Sequence, residues 1–281
     1  MQTVTDAAAI RAAIRGWRAA GQNVGFVPTL GNLHAGHHSL LKLARARCDR
    51  VVASVFVNPT QFGPGEDFER YPRTLAQDQA GLAEAGCDIL FAPDVSTVYP
   101  FGPAASVSIH VPVITDTLEG AHRPGHFDGV ATVVAKLFSL VQPDLAVFGQ
   151  KDFQQLKVIE RMVADLSLSV KVMAAPTLRD EDGLAMSSRN QYLSAQERAR
   201  APQIYSTLLQ MQKLFREGHN WQALEQAAKA RLERAGFVPD YVAIRRAEDL
   251  AEPGADEREG LVALVAARLG TTRLIDNLPF D

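Results

Sequence analysis

The sequence predicts a doubly wound α/β domain with a mostly parallel sheet, followed by a smaller C-terminal α+β domain. Three observations carry this reading. Short, continuous apolar runs alternate with helix-period patterns up to residue 176, the pattern of a parallel sheet covered on both faces. Three loops that follow such runs are rich in amides, charges or glycine, where a purely structural turn needs only one or two turn residues. After Pro176 the rhythm changes to long helical patterns and then two strand-like segments, which places a domain boundary near residue 177.

The chain opens on an amphipathic helix over residues 7–20, in which Ile10, Ala13, Ile14 and Trp17 recur at helical spacing. Arg11, Arg15 and Arg18 interrupt it where a secretory signal needs an unbroken apolar region. A strand at 24–27 runs through Phe26-Val-Pro-Thr-Leu-Gly-Asn-Leu-His-Ala-Gly-His37 into a helix that begins near Gly36 and ends near residue 48. A strand at 51–57, a helix at 75–85 and a strand at 88–91 follow. Residues 106–111 alternate polar and apolar and read as an edge strand. A helix at 128–140, a strand at 145–148, a helix at 154–165 and a strand at 170–174 complete the first domain. The second has helices at 195–216 and 221–235 and strands at 241–245 and 261–267. There is no internal repeat.

With 281 residues, 47% apolar and 22% charged, the composition is that of an ordinary soluble globular protein. A net charge of −3 gives no global attraction to nucleic acid or to an anionic membrane. Any anionic ligand is therefore held by a local site. No run approaches the roughly 18 apolar residues of a membrane span. Cys48 and Cys87 are too few for a disulfide framework and lie in apolar company near strand boundaries. Buried free thiols and a reducing, cytoplasmic compartment are expected.

In doubly wound sheets ligands bind beyond the carboxyl ends of the strands. The loops at 31–37, 58–63 and 149–155 all fall there and together outline one pocket. In the first, His34 and His37 stand one turn apart at a helix entrance. Free backbone N–H groups and the helix dipole suit phosphate there, and two imidazoles add directed donors. An exposed histidine pair is the plainer alternative. A metal pair is a third, although His-x-x-His lacks the spacing and the internal Glu of helical zinc proteases. Lys151 suits phosphate oxygens, or else forms a solvated pair with Asp152, which then caps the next helix. Ser187, Ser188 and Arg189 set two hydroxyls and a guanidinium in a row. Gln61 and Gln155 are neutral groups able to recognise hydroxyl and carboxylate oxygens. The chain has no Gly-x-x-x-x-Gly-Lys-Ser/Thr loop, no Gly-x-Gly-x-x-Gly fingerprint and no Gly-x-Ser-x-Gly elbow.

Seven segments in order complete the pattern: Pro28-Thr-Leu-Gly-Asn-Leu-His-Ala-Gly-His37, Val57-Asn-Pro-Thr-Gln-Phe62, Tyr71-Pro-Arg-Thr74, Arg123-Pro-Gly-His-Phe127, Phe148-Gly-Gln-Lys-Asp-Phe-Gln-Gln155, Asp182-Gly-Leu-Ala-Met-Ser-Ser-Arg-Asn190 and Ala266-Ala-Arg-Leu-Gly-Thr-Thr-Arg-Leu-Ile-Asp-Asn277. On these the chain resembles the pantoate–β-alanine ligase (pantothenate synthetase) family over essentially its full length. His-x-Gly-His alone marks only the wider nucleotidyltransferase group, which includes class I aminoacyl-tRNA synthetases and cytidylyltransferases.

The resemblance implies a Rossmann-like nucleotide- and pantoate-binding domain at 1–176 and a smaller α+β lid domain at 177–281. It implies ligation in two steps: pantoate and ATP give pantoyl adenylate and pyrophosphate, then β-alanine gives pantothenate and AMP. By position, His34, His37 and Lys151 match phosphate contacts, and Ser187, Ser188 and Arg189 a phosphate-binding lid. Leu30, Gly36, Gly149, Asp152 and Met186 match positions around the nucleotide, with Asp152 on the ribose side. Gln61 and Gln155 match the glutamines that hold pantoate, with Asn58, Arg123 and His126 lining the neighbouring space. Mg²⁺ accompanies ATP, with Asp78 at an acidic position near the metal, and a homodimer through the N-terminal domain is implied. Leu30 replaces the usual methionine, Gln150 a common glutamate, and Ala35 an acidic residue; none of these removes a group assigned to chemistry. Two other readings stay open: another His-x-Gly-His nucleotidyltransferase, and a catalytically silent nucleotide-binding protein.

Overall fold

The computed structural model describes residues 1–66 and 68–280, and the chain divides into two compact units. Met1–Gln150 and Gln155–Pro176 form the first; Lys151–Gln154 and Thr177–Asp281 group as the second.

In the first unit, β1 (Gln2–Val4), β2 (Val24–Thr29), β3 (Arg50–Val55), β4 (Ile89–Phe91), β5 (Leu145–Gly149) and β6 (Lys171–Ala175) form a six-stranded sheet in the order β1-β4-β3-β2-β5-β6. Every pairing in it is parallel. The helices are α1 (Ala7–Ala19), α2 (Ala35–Arg45), α3 (Leu75–Glu84), the short α4 (Val95–Val98) and α5 (Glu119–His122), α6 (His126–Val141) and α7 (Phe153–Asp165). Alternation within buried strands sorts side chains between two cores. Val51 and Ala53 of β3, with Val27 and Val147, pack against Leu41 and Ala44 of α2 and Leu82 of α3. Phe26 and Phe148 turn the other way, and both meet Phe138 of α6 edge-on, at 6.3 and 6.4 Å. Of the predicted apolar face of α1, Ile10 and Ile14 are buried and Ala13 and Trp17 half-buried. Cys48 and Cys87 are buried free thiols.

The order of strands reverses between β2 and β5, and this is where the sheet opens. β2 pairs with β3 through all six of its residues, from Val24 with Arg50 to Thr29 with Val55. It pairs with β5 only at Gly25 with Leu145 and Phe26 with Ala146. β5 follows β6 instead, to Gly149 with Ala175. The carboxyl halves of β2 and β5 thus part at the topological switch point. Pro28, which has no N–H to donate, lies in the parted half.

In the second unit, β7 (Val238–Arg246), β8 (Leu261–Leu269) and β9 (Thr272–Pro279) form an antiparallel sheet in that order. Alternate residues Leu261, Ala263, Val265 and Ala267 of β8 join a core with Leu208, Met211, Leu224 and Leu232. Those come from α9 (Gln203–Arg216) and α10 (Trp221–Arg234), which follow the short α8 (Ala195–Arg200).

Two expectations change and two strands are added. Residues 106–111 form no strand: Val107 is exposed, and Ile109 N–H donates to Thr132 Oγ1 at 2.8 Å, so a helix side chain rather than a strand edge holds the segment. The helix expected at 195–216 is broken at Pro202, whose ring and missing N–H end α8 before α9 begins. β1 is too short for its alternation to show. β9 escaped recognition because its inward row, Thr272, Leu274 and Asp276, is mostly polar.

No helix among the described residues is long and apolar enough to cross a membrane. Leu41 is fully buried beneath β2 and β3, on the helix that carries both predicted histidines. Leu41→Ala is expected to cost about 2–5 kcal/mol of stability, the usual range for a truncated core leucine, read from chemical denaturation midpoints.

Candidate active site

The first loop leaves β2 at the parted end of the sheet. Gly31 holds φ +91°, and a Cβ there would press on Val55 Cγ1 at 3.0 Å and Asp78 Oδ2 at 3.1 Å. Asp78 is buried on α3 and binds the loop: Oδ1 accepts from Leu33 N–H at 2.8 Å, and Oδ2 accepts from Asn32 N–H at 3.0 Å and Thr74 Oγ1 at 3.2 Å. Both of its oxygens accept hydrogen bonds that shape the turn. Among the described residues no group of three or more His, Cys, Asp or Glu side chains is arranged to hold a metal ion.

His34 is the N-cap of α2, and the two histidines close a capping box. His34 Nδ1 accepts from Gly36 N–H at 3.1 Å, and His37 Nδ1 accepts from His34 N–H at 3.3 Å. The rings lie 4.2 Å apart between centroids. A neutral imidazole whose Nδ1 accepts carries its proton on Nε2. The backbone of the helix entrance therefore sets both rings as Nε2–H donors. Leu30 and Gly36 are half-buried in the same turn.

The second loop follows β3. Asn58 caps a 3₁₀ turn, Pro59–Gln61, and is completely buried. Its Nδ2 donates to Gly129 carbonyl at 3.1 Å and to Gln61 Oε1 at 3.2 Å; its Oδ1 accepts from Tyr99 Oη at 2.7 Å and Thr60 Oγ1 at 3.1 Å. Burial holds the Tyr99 phenol above its usual range and so keeps it a donor. Asn58 thus supports Gln61 from beneath. Gly129 allows the approach of α6: a Cβ there would fall 2.3 Å from Thr60 carbonyl.

Arg123 and His126 also act on Gln61. Arg123 pairs through Nε and Nη2 with both oxygens of Glu66, at 2.7 and 2.6 Å, and its Nη1 donates to His126 Nε2 at 3.0 Å. His126 Nδ1 in turn donates to the Gln61 main-chain carbonyl at 2.8 Å. Burial and the neighbouring Arg123 push the His126 imidazole down to about 4, so the ring is neutral, as this relay requires. Burial opposes ionisation of Glu66, yet the hydrogen bonds and charge of Arg123 outweigh it and hold the carboxyl below its usual range. Tyr99, Glu66 and Gly129 were not singled out in the sequence. A glycine inside a helical pattern was the one available signal.

The third loop divides. Gly149 ends β5 in the first unit, and Gln155 stands half-buried on the first turn of α7. Lys151 and Asp152, 3.8 Å apart, group with the second unit, where Asn277 Nδ2 donates to Lys151 carbonyl at 2.9 Å. In that unit Met186, Ser187, Ser188 and Arg189 are half-buried, and Ser187 caps a 3₁₀ turn, Ser188–Tyr192, by accepting from Arg189 N–H at 3.3 Å. Arg179 secures the base of this segment: it grips Asp276 with two bonds of 2.6 and 2.9 Å, donates to Gly183 carbonyl, and lies 3.6 Å over the Tyr205 ring.

Fold and site define the class: a doubly wound α/β protein with the His-x-Gly-His turn of the nucleotidyltransferases at its switch point. More narrowly, the chain belongs to the pantoate–β-alanine ligase family, whose model matches residues 2–279. A pantothenate synthetase of Xanthomonas axonopodis pv. citri is 57% identical over 280 residues, covering 100% of both chains. The crystal structure of pantothenate synthetase from Thermus thermophilus superposes with a TM-score of 0.93 at 50% identity, covering 100% of this chain and 99% of that one. That of the Francisella tularensis ligase, complexed with βγ ATP and β-alanine, gives 0.83 at 33%, covering 100% and 98%. The chain is accordingly a ligase that forms pantothenate from pantoate and β-alanine.

Two outcomes test the geometry. Gly129→Ala forces α6 off the Gln61 turn and is expected to cost about 1–3 kcal/mol of stability as an overpacking change, measured by thermal melting. Native His126 stays neutral down to about 4, whereas its unfolded value is 6.5. Between those values the unfolded state binds the extra proton, so stability rises with pH through the window and is lost as pH falls. A His126→Gln variant should show a shallower slope of stability against pH there than the parent chain.

Proposed function

We propose that the chain activates pantoate with ATP, forming pantoyl adenylate and pyrophosphate, and that β-alanine then displaces AMP. The observation that carries this reading is the pair of imidazoles fixed as Nε2–H donors at the α2 entrance, beside the parted strands. Adenylyl transfer needs no protein nucleophile; it needs the carboxylate aligned with the α-phosphate and donors ready for charge that develops on the phosphate oxygens. His34, His37 and Lys151 take that role, with Ser187, Ser188 and Arg189 closing on the nucleotide. Leu30, Gly36, Gly149, Asp152 and Met186 surround it. Gln61 and Gln155 hold pantoate. Asn58, Arg123 and His126 set the position of Gln61, which their hydrogen bonds support.

Mg²⁺ enters with ATP as its phosphate complex, where it neutralises the phosphates and requires few protein ligands. Residues 1–176 serve as the nucleotide- and pantoate-binding domain and residues 177–281 as the lid domain. Resemblance to the family supports a homodimer through the N-terminal domain, and two buried free thiols suit the cytoplasm.

Isotope exchange between pyrophosphate and ATP should depend on pantoate and need no β-alanine. Absence of exchange in the presence of pantoate would exclude the adenylate. His37→Ala and Lys151→Ala should each slow exchange by about 10²–10³-fold, the scale of one preorganised donor lost from a developing charge. Near-normal rates in both would place the phosphates elsewhere.

A further inference from the structure

We propose that Asn277 is a positioning residue for Lys151: the hydrogen bond from its side chain ties the main chain of the lysine to the strand that also anchors the Ser187–Arg189 segment. This rests on the assignment of Lys151 to the phosphates. The segment from Ala266 to Asn277 carries no group assigned to a substrate, yet its last two residues are buried polar ones, Asp276 at 5% and Asn277 at 3% exposed. Burying such groups is costly unless they are hydrogen-bonded, so their partners show what they are for. Asn277 Nδ2 donates to Lys151 carbonyl at 2.9 Å, across 126 residues of chain. A carbonyl only accepts, so the amide stands in one orientation there. Lys151 lies in a single 3₁₀ turn, Gln150–Asp152, and Lys151–Gln154 pack with the second unit although their loop leaves β5. A turn this short has little hydrogen bonding of its own. The contact from β9 therefore sets where the lysine starts.

Asp276 gives Asn277 a rigid base. Its two oxygens are held by Arg179 at 2.6 and 2.9 Å, and Oδ1 also accepts from Asn277 N–H at 2.8 Å. Arg179 Nη2 reaches Asn277 carbonyl as well, at 3.4 Å. The same guanidinium donates to Gly183 carbonyl at 3.1 Å, inside a tight turn where Arg179 bridges Ala185 and the chain leads into Met186 and Ser187. One step of β9 thus fixes both the lysine and the base of the serine segment. The charge of Lys151 is felt at Asp276, where with Arg179 it works against the burial that pushes this carboxyl up. Because Arg179 already pairs with both oxygens, the ammonium is steadied without being captured in a buried ion pair. A long, flexible side chain reaches a phosphate reproducibly only from a fixed main chain, and a misplacement of about 1 Å at a reacting centre can cost about 10²-fold in rate.

The test is a double-variant cycle in the full chain, read by pantoate-dependent exchange of pyrophosphate into ATP in the parent, Asn277→Ala, Lys151→Ala and the two combined. Asn277→Ala should slow the maximal exchange rate by about 3–10-fold, the scale of one lost hydrogen bond. Because Asn277 acts through the lysine, the combined variant should be no slower than Lys151→Ala alone, whereas general loosening of the fold multiplies the two losses. Asn277→Asp keeps the shape and presents no donor once ionised, so it takes the place of Asn277→Ala should that chain not fold. An unchanged rate in Asn277→Ala beside a slowed Lys151→Ala, or losses that multiply in the combined variant, would overturn the positioning role. Near-normal exchange in Lys151→Ala would instead overturn the assignment of Lys151 to the phosphates, and this role with it.

Discussion

A parallel sheet is held by lateral hydrogen bonds, and where two neighbouring strands stop exchanging them the layer opens. Between β2 and β5 the ladder ends at Phe26 and Ala146, while each strand stays bound on its other side to the end of its length. The gap is therefore a property of the stiffest part of the molecule rather than of a mobile loop. The loops of the first unit that carry site residues are arranged about it: the turn that Asp78 clamps leaves from one side, and Gly149 ends the other. Parallel topology makes this economical, because all carboxyl ends lie at one edge and the reversal of strand order leaves a crevice there without any extra element.

The position of Gln61 is set by the same packing that makes the fold. Gln61 is held through its main chain by His126, through its amide by Asn58, and through the closeness of α6 by the absence of a side chain at Gly129. His126 and Gly129 both lie on α6 and Asn58 in the loop after β3, so the position of one amide reports how α6 packs on that loop. Neutral His126 is essential to this arrangement: it donates on one nitrogen and accepts on the other, which a protonated ring cannot do.

Most of the strand and helix framework was legible because buried parallel strands write themselves as unbroken apolar runs. Gln61, His34 and His37 were legible as polar residues beyond such runs. What stayed hidden has physical reasons. Residues 106–111 carry an alternating pattern that nothing buries, since Val107 faces water. β9 hides because Asp276 points inward to meet Arg179, and inward charge erases the apolar period. The hydrogen-bond partners of Asn58, Arg123 and Asp78 could not be read from residue type. A carboxylate or amide near a site looks the same in sequence whether it faces the ligand or the protein backbone, and only the partners tell which.

The capping box formed by His34 and His37 has a consequence for binding thermodynamics. A side chain that must be immobilised when a ligand arrives loses rotamer freedom at that moment, roughly 0.5–1.5 kcal/mol for each flexible group. These two rings gave up that freedom when α2 formed, because each Nδ1 already holds a backbone N–H. An anion reaching the helix entrance therefore meets groups whose disorder was removed during folding, and its association carries a smaller entropic penalty than contact with two free histidines would impose.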